Sequence, residues 1–218
     1  RLKNYDYSQE GLYFITICTE NREKLFGEIL NDNVGADPCV CPVFKPNNAG
    51  EMIEKWLLEL SNKFKNIKCD EYVIMPNHVH MIVKTDKNQL PEIMCSLLTR
   101  YSSYFNKKYE RVGHVFQDRY CNKNIEDETY LKNAIQYIHF NPEKAGICKT
   151  AEYEYSSYKE YINTEQAKLT DVKDILLLYN SKCEKQAIEM FIKQNKEKQK
   201  EREDFNLTEY EMQNKLTD

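Results

Sequence analysis

Two of the chain's four histidines lie two residues apart, in His78-Val79-His80. On a strand, residues i and i+2 project from the same face. The two imidazoles would therefore stand close enough to share one metal ion, and neutral imidazole is a common ligand. Val79, between them, would point into a core with Met81 and Val83. Paired histidines on a buried face are costly without a partner, and a metal ion removes that cost. The spacing by itself also suits two histidines on a solvent-facing strand.

A second chemical pair is Tyr137 and Asn141. At ~100° per residue, both lie on one flank of a helix, ~65–105° from the centre of its apolar stripe of Leu131, Ala134, Ile135 and Ile138. As i and i+4 they are neighbours on the helix surface. A phenol with a pKa of ~10 is a poor nucleophile at neutral pH. A divalent cation beside it would polarise a phosphate and stabilise charge on a departing sugar oxygen. Asn141 could add an amide oxygen to the two imidazoles, leaving positions open to water and phosphate. Mg²⁺ or Mn²⁺ suits such chemistry. The bland alternatives are a helix tyrosine packed on the core edge, one of sixteen tyrosines in the chain, and an asparagine that ends a helix before Pro142.

These residues need elements to hold them. Gly11–Thr19 is rich in β-branched and aromatic residues and predicts a strand. Residues 31–49, with an Asn-Asp-Asn run and weak periodicity, predict a loop. Ile53, Trp56, Leu57, Leu60 and Phe64 fall at helical spacing from Glu51 onward. Glu71–Met75 and His78–Val83 predict two further strands, joined by a turn at Pro76-Asn77. Leu90 to about Tyr109 predicts a helix with Leu90, Ile93, Leu97, Tyr101 and Tyr104 inward. His114 to about Asn124 predicts an extended segment. Asp127 caps a helix expected to run to Phe140, where Asn141-Pro142 stops it. The order β-α-β-β-α-β-α implies an α+β fold, an antiparallel sheet with helices packed on it. From Thr164 the pattern is helical, with stripes at Val172, Ile175, Leu176, Tyr179 and at Ile188, Phe191, Ile192. We therefore divide the chain into residues 1–163 and a helical extension over 164–218.

Composition narrows the classes. The net charge is −4, which argues against coating nucleic acid by bulk charge. Between Lys84 and Lys123, however, eight Lys/Arg face four acids. That local excess would serve a phosphate-binding groove or an ordinary solvated face. The eight cysteines are scattered, which reads as reduced thiols in a cytoplasmic protein rather than a disulfide scaffold. Cys39-Val-Cys41 has no second pair to complete a zinc site. No run of ~18 apolar residues predicts a membrane span. The chain opens at Arg1, so a trimmed N-terminus is expected, and no secretory leader is visible.

Several segments together resemble one family. Pro76-Asn-His-Val-His80 looks like the signature of the HUH endonucleases. Arg1–Gln9, Gly11–Thr19, Phe116–Tyr120 and Tyr137–Gly146 resemble the REP-associated tyrosine transposases of the single-tyrosine HUH superfamily. The resemblance spans residues 1 to about 160. It implies a ferredoxin-like antiparallel sheet, a divalent metal held by His78, His80 and Asn141, and Tyr137 as nucleophile. The implied reaction cleaves single-stranded DNA near hairpins through a 5′-phosphotyrosine and rejoins it without ATP. Relatives include dimers that exchange tyrosine helices, so a homodimer is one expectation. For DNA contacts we single out Arg100, Arg119 and Lys123, with Tyr120 as a ring for base stacking. Two other readings remain open at this stage. One is a domesticated hairpin-binding protein that no longer cuts. The other is a metallohydrolase using metal-bound water, with Tyr137 structural.

Overall fold

Unbroken burial from Tyr13 to Ile17 along Gly11–Cys18 (β1) makes this segment a central strand covered on both faces, with Tyr13, Ile15 and Ile17 on one and Phe14 and Thr16 on the other. The computed structural model describes residues 11–30, 42–64, 67–85, 89–167, 170, 172–180 and 182–197. Residues 1–9 of the family resemblance and the Cys39/Cys41 pair lie outside them.

After β1 come a short hairpin of Gly27–Leu30 (β2) and Val43–Pro46 (β3), helix Asn48–Lys63 (α1), and strands Ile67–Met75 (β4) and His78–Thr85 (β5). Helix Gln89–Lys108 (α2), strand Cys121–Ile125 (β6) and helix Glu128–Lys144 (α3) follow. The main sheet has the order β4-β5-β1-β6, antiparallel at every step. This is the α+β architecture expected, with helices on both faces. One face buries Tyr13, Ile15, Ile17, Tyr72, Ile74, Val79, Met81 and Val83 against Ile53 and Leu57 of α1 and Leu90, Ile93, Met94, Leu97 and Tyr101 of α2. Burying side chains of this size stabilises by ~1.5–3 kcal/mol each before chain entropy is counted. The other face carries α3.

Beyond α3 the chain returns along the outer side of β4. Val73 pairs with Ser156, Ile74 N donates to Tyr155 O at 2.8 Å, and Ser157 N donates to Tyr72 O at 3.0 Å. Tyr153 and Tyr161 donate to Ile74 O and Asp70 O, each at 2.6 Å. The β4 edge is thereby covered. Helix Tyr158–Ile162 (α4), a 3-10 turn at Thr164–Gln166 and helix Val172–Leu176 (α5) follow. The chain divides into two compact units after Ile175. In the second, Tyr179 meets Phe191 of helix Glu184–Glu197 (α6) edge-on, with ring centroids 5.4 Å apart.

The structure corrects several boundaries. Residues 43–46 of the expected loop are strand, paired with β2 from Gly27↔Pro46 to Leu30↔Val43. Helix α1 starts before Glu51 because Asn47 Oδ1 accepts from Ala49 N at 2.8 Å and Gly50 N at 3.1 Å, an asparagine cap. Gly50 is required there: a Cβ would lie 2.2 Å from Phe26 O. On α2, Phe105 is buried while Tyr104 is only partly so, its hydroxyl accepting from Lys108 Nζ at 3.0 Å. The extended segment forms regular strand only from Cys121, with an isolated pairing of Phe116 to Thr19 before it.

Helix α3 does not stop at Phe140. It runs to Lys144 with Pro142 inside. A proline within a helix forfeits one backbone bond. Here Pro142 is buried, and the last turn is fastened by Glu143 Oε2, which accepts from Thr150 N and Oγ1, both at 3.1 Å. Tertiary contacts outweigh the local signal. Asp127 caps α3 as expected, accepting from Tyr130 N at 2.7 Å.

Candidate active site

In β5 the alternation that sends Val79 and Met81 into the α1–α2 core sends His78 and His80 to the opposite face. Their ring centroids are 4.7 Å apart. His80 is 3% exposed and sits opposite Thr16 of β1, whose Oγ1 is 2.9 Å from His80 Nδ1. His78 Nδ1 is 2.8 Å from Asn77 Oδ1. The orientation of the Asn77 amide is set by its Nδ2, which donates to Arg22 O at 3.1 Å. His78 Nδ1 therefore carries the proton of the neutral ring and Nε2 the lone pair.

Helix α3 lies across this face. The Tyr137 ring meets His80 edge-on, with centroids 5.3 Å apart, and Phe14 at 6.0 Å. One turn later Asn141 Oδ1 is 3.3 Å from His78 Nε2. The continuation of α3 through Pro142 keeps Asn141 in helical register below Tyr137. Strand β5 and helix α3, 59 residues apart between His78 and Tyr137, thus bring both sequence-level pairs to one place.

The donor chemistry of this place suits a divalent cation. Burial pushes the His78 imidazole down to about 4, with the Arg22 charge adding to the effect and the Asn141 contact opposing it. His80 is held well below the ordinary histidine range, first by burial, then by His78 and Arg22. Both rings are neutral at pH 7, as ligands must be. In that state His78 Nε2 and Asn141 Oδ1 present lone pairs to each other at 3.3 Å, an arrangement that a cation between or beside them would relieve. Asn77 Oδ1 accepts at His78 Nδ1 and Thr16 Oγ1 is hydrogen-bonded to His80 Nδ1, the outer-shell support that orients ligating histidines. Among the described residues no cluster of three His, Cys, Asp or Glu side chains could hold a metal. An amide, that of Asn141, would have to be the third donor here.

Of the residues singled out for DNA, Lys123 shares this face. It is exposed on β6 opposite Phe14, and its ammonium lies 4.4 Å from the Tyr130 ring centroid. Arg119 is exposed and lines a cleft of about 600 Å³ with Ser102, Asn106 and His114. Arg100 is exposed on α2 beside Trp56 and Lys63, on the sheet face opposite the histidines. Tyr120 is corrected: it is 8% exposed and packs with the α1–α2 core, so its ring offers no free face to a base. Sequence reading missed Lys144, whose ammonium lies 5.7 Å from the Tyr137 centroid. It is two turns after the tyrosine, a signal that spacing could have supplied. It also missed Phe14, Thr16 and Asn77, which only the sheet register brings to the histidines.

Residues 9–141 match the family described as transposase, IS200-like. A Haemophilus influenzae protein described as uncharacterized is 30% identical over 164 residues, covering 65% of this chain and 86% of its own. A second protein of that organism, described provisionally as a REP-associated tyrosine transposase, is 24% identical over 186 residues, 75% of this chain and 90% of its own. Among solved structures, that of a REP-associated tyrosine transposase bound to a REP hairpin aligns with a TM-score of 0.52 at 15% identity, over 80% of this chain and 93% of that one. This last likeness concerns the fold.

Proposed function

Because this chain belongs to the IS200-like transposase family, we propose that it cuts and rejoins single-stranded DNA beside hairpins, using Tyr137 as nucleophile. The single observation that carries this reading is the meeting of Tyr137, His78, His80 and Asn141 on one sheet face. The hairpin substrate is inferred from the solved relative, which is bound to a REP hairpin.

In the proposed reaction the Tyr137 hydroxyl attacks a DNA phosphorus. The new bond joins the phenolic oxygen to the 5′ side, the phosphorus–O3′ bond breaks, and the phenolic proton is balanced by the proton gained at the departing 3′-OH. One phosphodiester replaces another, so no nucleotide cofactor is required, and a 3′-OH from another strand reverses the step. His78, His80 and Asn141 would hold a divalent ion, Mg²⁺ or Mn²⁺. That ion, when bound, supplies charge stabilisation at the phosphate and the leaving oxygen. Phe14 and His80 fix the Tyr137 ring by edge contacts. The Lys144 ammonium, 5.7 Å from the centre of that ring, adds a further positive charge beside the proposed nucleophile's helix. Lys123 and Arg119 are candidates for backbone phosphate contacts. We assign the transposase chemistry to residues 1–163 and treat 164–218 as an extension.

The reading is tested by incubating the full chain with end-labelled hairpin DNA and Mg²⁺ or Mn²⁺. A covalent protein–DNA adduct should form, and Tyr137→Phe should abolish it while retaining DNA binding. Cleavage that persists in Tyr137→Phe without an adduct would instead indicate hydrolysis by metal-bound water. Hairpin binding with no cleavage under either metal would indicate a binding-only protein.

A further inference from the structure

Helix α3 carries a longer pattern on the flank that holds Tyr137. Tyr130, Tyr137, Asn141 and Lys144 follow one another at intervals of seven, four and three residues. At ~100° per residue they fall within ~60° of one another around the helix axis, so they form one stripe. At its end the Lys144 ammonium lies 5.7 Å from the Tyr137 ring centroid. At its start the Lys123 ammonium reaches over from β6 to 4.4 Å from the Tyr130 ring centroid. Lys123 is the register partner of Phe14, whose ring meets that of Tyr137. The stripe therefore runs along the sheet face of the histidines. With a rise of ~1.5 Å per residue, Tyr130 and Lys144 each stand ~10 Å from Tyr137 along the axis, in opposite directions. Two ammonium groups thus bracket the proposed nucleophile. Both lysines are exposed, and an aromatic ring beneath each favours its charge at that place. Among the described residues neither forms an ion pair with a carboxylate. Glu143, the acid next to Lys144, is turned to Thr150.

An uncompensated cation at each end of a stripe, with a phosphate-attacking group midway, suits a polyanion laid lengthwise. We propose that this flank of α3 is a track for one single DNA strand, on which Lys123 and Lys144 hold phosphates on opposite sides of the one that Tyr137 attacks. The proposal rests on the reading of Tyr137 given above. Lysine suits the role: a point charge on a flexible stem takes a phosphate without reading the base, so it positions the strand and leaves its sequence free. The geometry also gives the strand a direction. Asn141, with His78 Nε2 3.3 Å away, lies between Tyr137 and Lys144. That is the side assigned above to the departing O3′. Nucleotides 5′ to the cut then run toward Lys144, and those 3′ to it, which stay joined to Tyr137, run toward Lys123.

The test places Lys123→Ala, Lys144→Ala and Lys144→Arg in the full chain. The probe is a labelled hairpin oligonucleotide with a single-stranded flank, in which one phosphate at a time is replaced by a neutral methylphosphonate. The adduct formed by the wild type with Mn²⁺ marks the scissile phosphate. Affinity is read in a Tyr137→Phe background, so that no strand is cut. On unmodified DNA each alanine variant should flatten the slope of log affinity against log salt concentration by ~0.7, the share of one single-strand phosphate. Lys144→Arg should keep the slope. In the scan the Tyr137→Phe parent should lose affinity at one linkage on each side of the cut. Lys144→Ala should become indifferent to the 5′ linkage alone, and Lys123→Ala to the 3′ linkage alone. Melting temperatures should agree closely, as for other exposed side chains. If neither alanine variant loses sensitivity at a defined linkage, the proposal is overturned. It is also overturned if both lysines map to one side of the cut or to the sides opposite those stated. If the wild type forms no adduct but the lysines map to two separate linkages, that of Lys144 lying 5′ of that of Lys123, the track stands and the Tyr137 chemistry falls.

Discussion

Thr16 and Asn77 decide what the two histidines can be. Each faces a ring nitrogen, at 2.9 Å for His80 and 2.8 Å for His78; Asn77, by accepting there, leaves the His78 Nε2 lone pair facing Asn141 Oδ1, and Thr16 holds the His80 ring in place. Outer-shell partners of this kind typically matter 10–100-fold in metal affinity. Thr16→Val keeps the shape of the side chain and removes its hydroxyl. We expect it to weaken Mn²⁺ binding by ~10-fold or more, read from the free-ion signal in electron paramagnetic resonance, with little change in melting temperature. An unchanged Mn²⁺ affinity would mean that His80 is not oriented for a metal by Thr16.

At the scale of elements, helix α3 depends on a buried polar knot that is separate from the candidate active site. His139 Nε2 lies 2.7 Å from Glu71 Oε2 on β4 and 2.9 Å from Ser157 Oγ, and Ser157 Oγ donates to Glu71 Oε2 at 2.5 Å. His139 and Glu71 are 1% and 0% exposed. The combination of Ser, His and Glu has the composition of a hydrolase triad, but burial of every member closes it to substrate. Its effect is to join α3, β4 and the returning chain, with His139 also edge-on to Tyr158 and Tyr161. Removing one partner from such a buried group strands the other, at a cost of ~3–5 kcal/mol. His139→Ala should therefore lower stability by about that much in urea unfolding. If the loss is below ~1 kcal/mol, the size of a lone surface pair, the knot does not hold α3. Because Tyr137 and Asn141 stand on the same helix, variants that survive should form adduct more slowly.

For the whole molecule, the buried neutral histidines set a pH dependence. Unfolded, each imidazole titrates near ~6.5; folded, His78 is down at about 4 and His80 is also well below its ordinary value. Between those limits the unfolded chain binds more protons than the folded one. Stability must then rise with pH across the window and fall as pH drops from ~6.5 toward about 4. In metal-free buffer the melting temperature should be several degrees lower at pH ~5 than at pH ~7.5. A His78→Asn, His80→Asn double variant should show a flatter profile. Equal slopes for wild type and double variant would mean that these two rings do not dominate the acid limb.

The sequence by itself determined the family, the α+β class, the pairing of His78 with His80 on one strand face and the pairing of Tyr137 with Asn141 on one helix flank. Each of these is a statement about period, i+2 on a strand and i+4 on a helix, or about motifs read in order, and period is local. The resemblance to the REP-associated tyrosine transposases rested on such motifs, and the match of residues 9–141 to the IS200-like transposase family, with a relative described as a REP-associated tyrosine transposase, bears it out. Tertiary structure alone decided the rest. The β2–β3 hairpin was illegible because strands of four residues carry too little alternation to register. Helix α3 passes through Pro142 because burial and the Glu143–Thr150 contacts outweigh one missing backbone bond. Tyr120 looked available for stacking because sequence gives the amphipathic ring but not which layer covers it. That β5 and α3 present their two pairs to each other depends on strand order and helix placement. Those are set by which apolar faces pack together, and such long-range contacts leave no period in the chain.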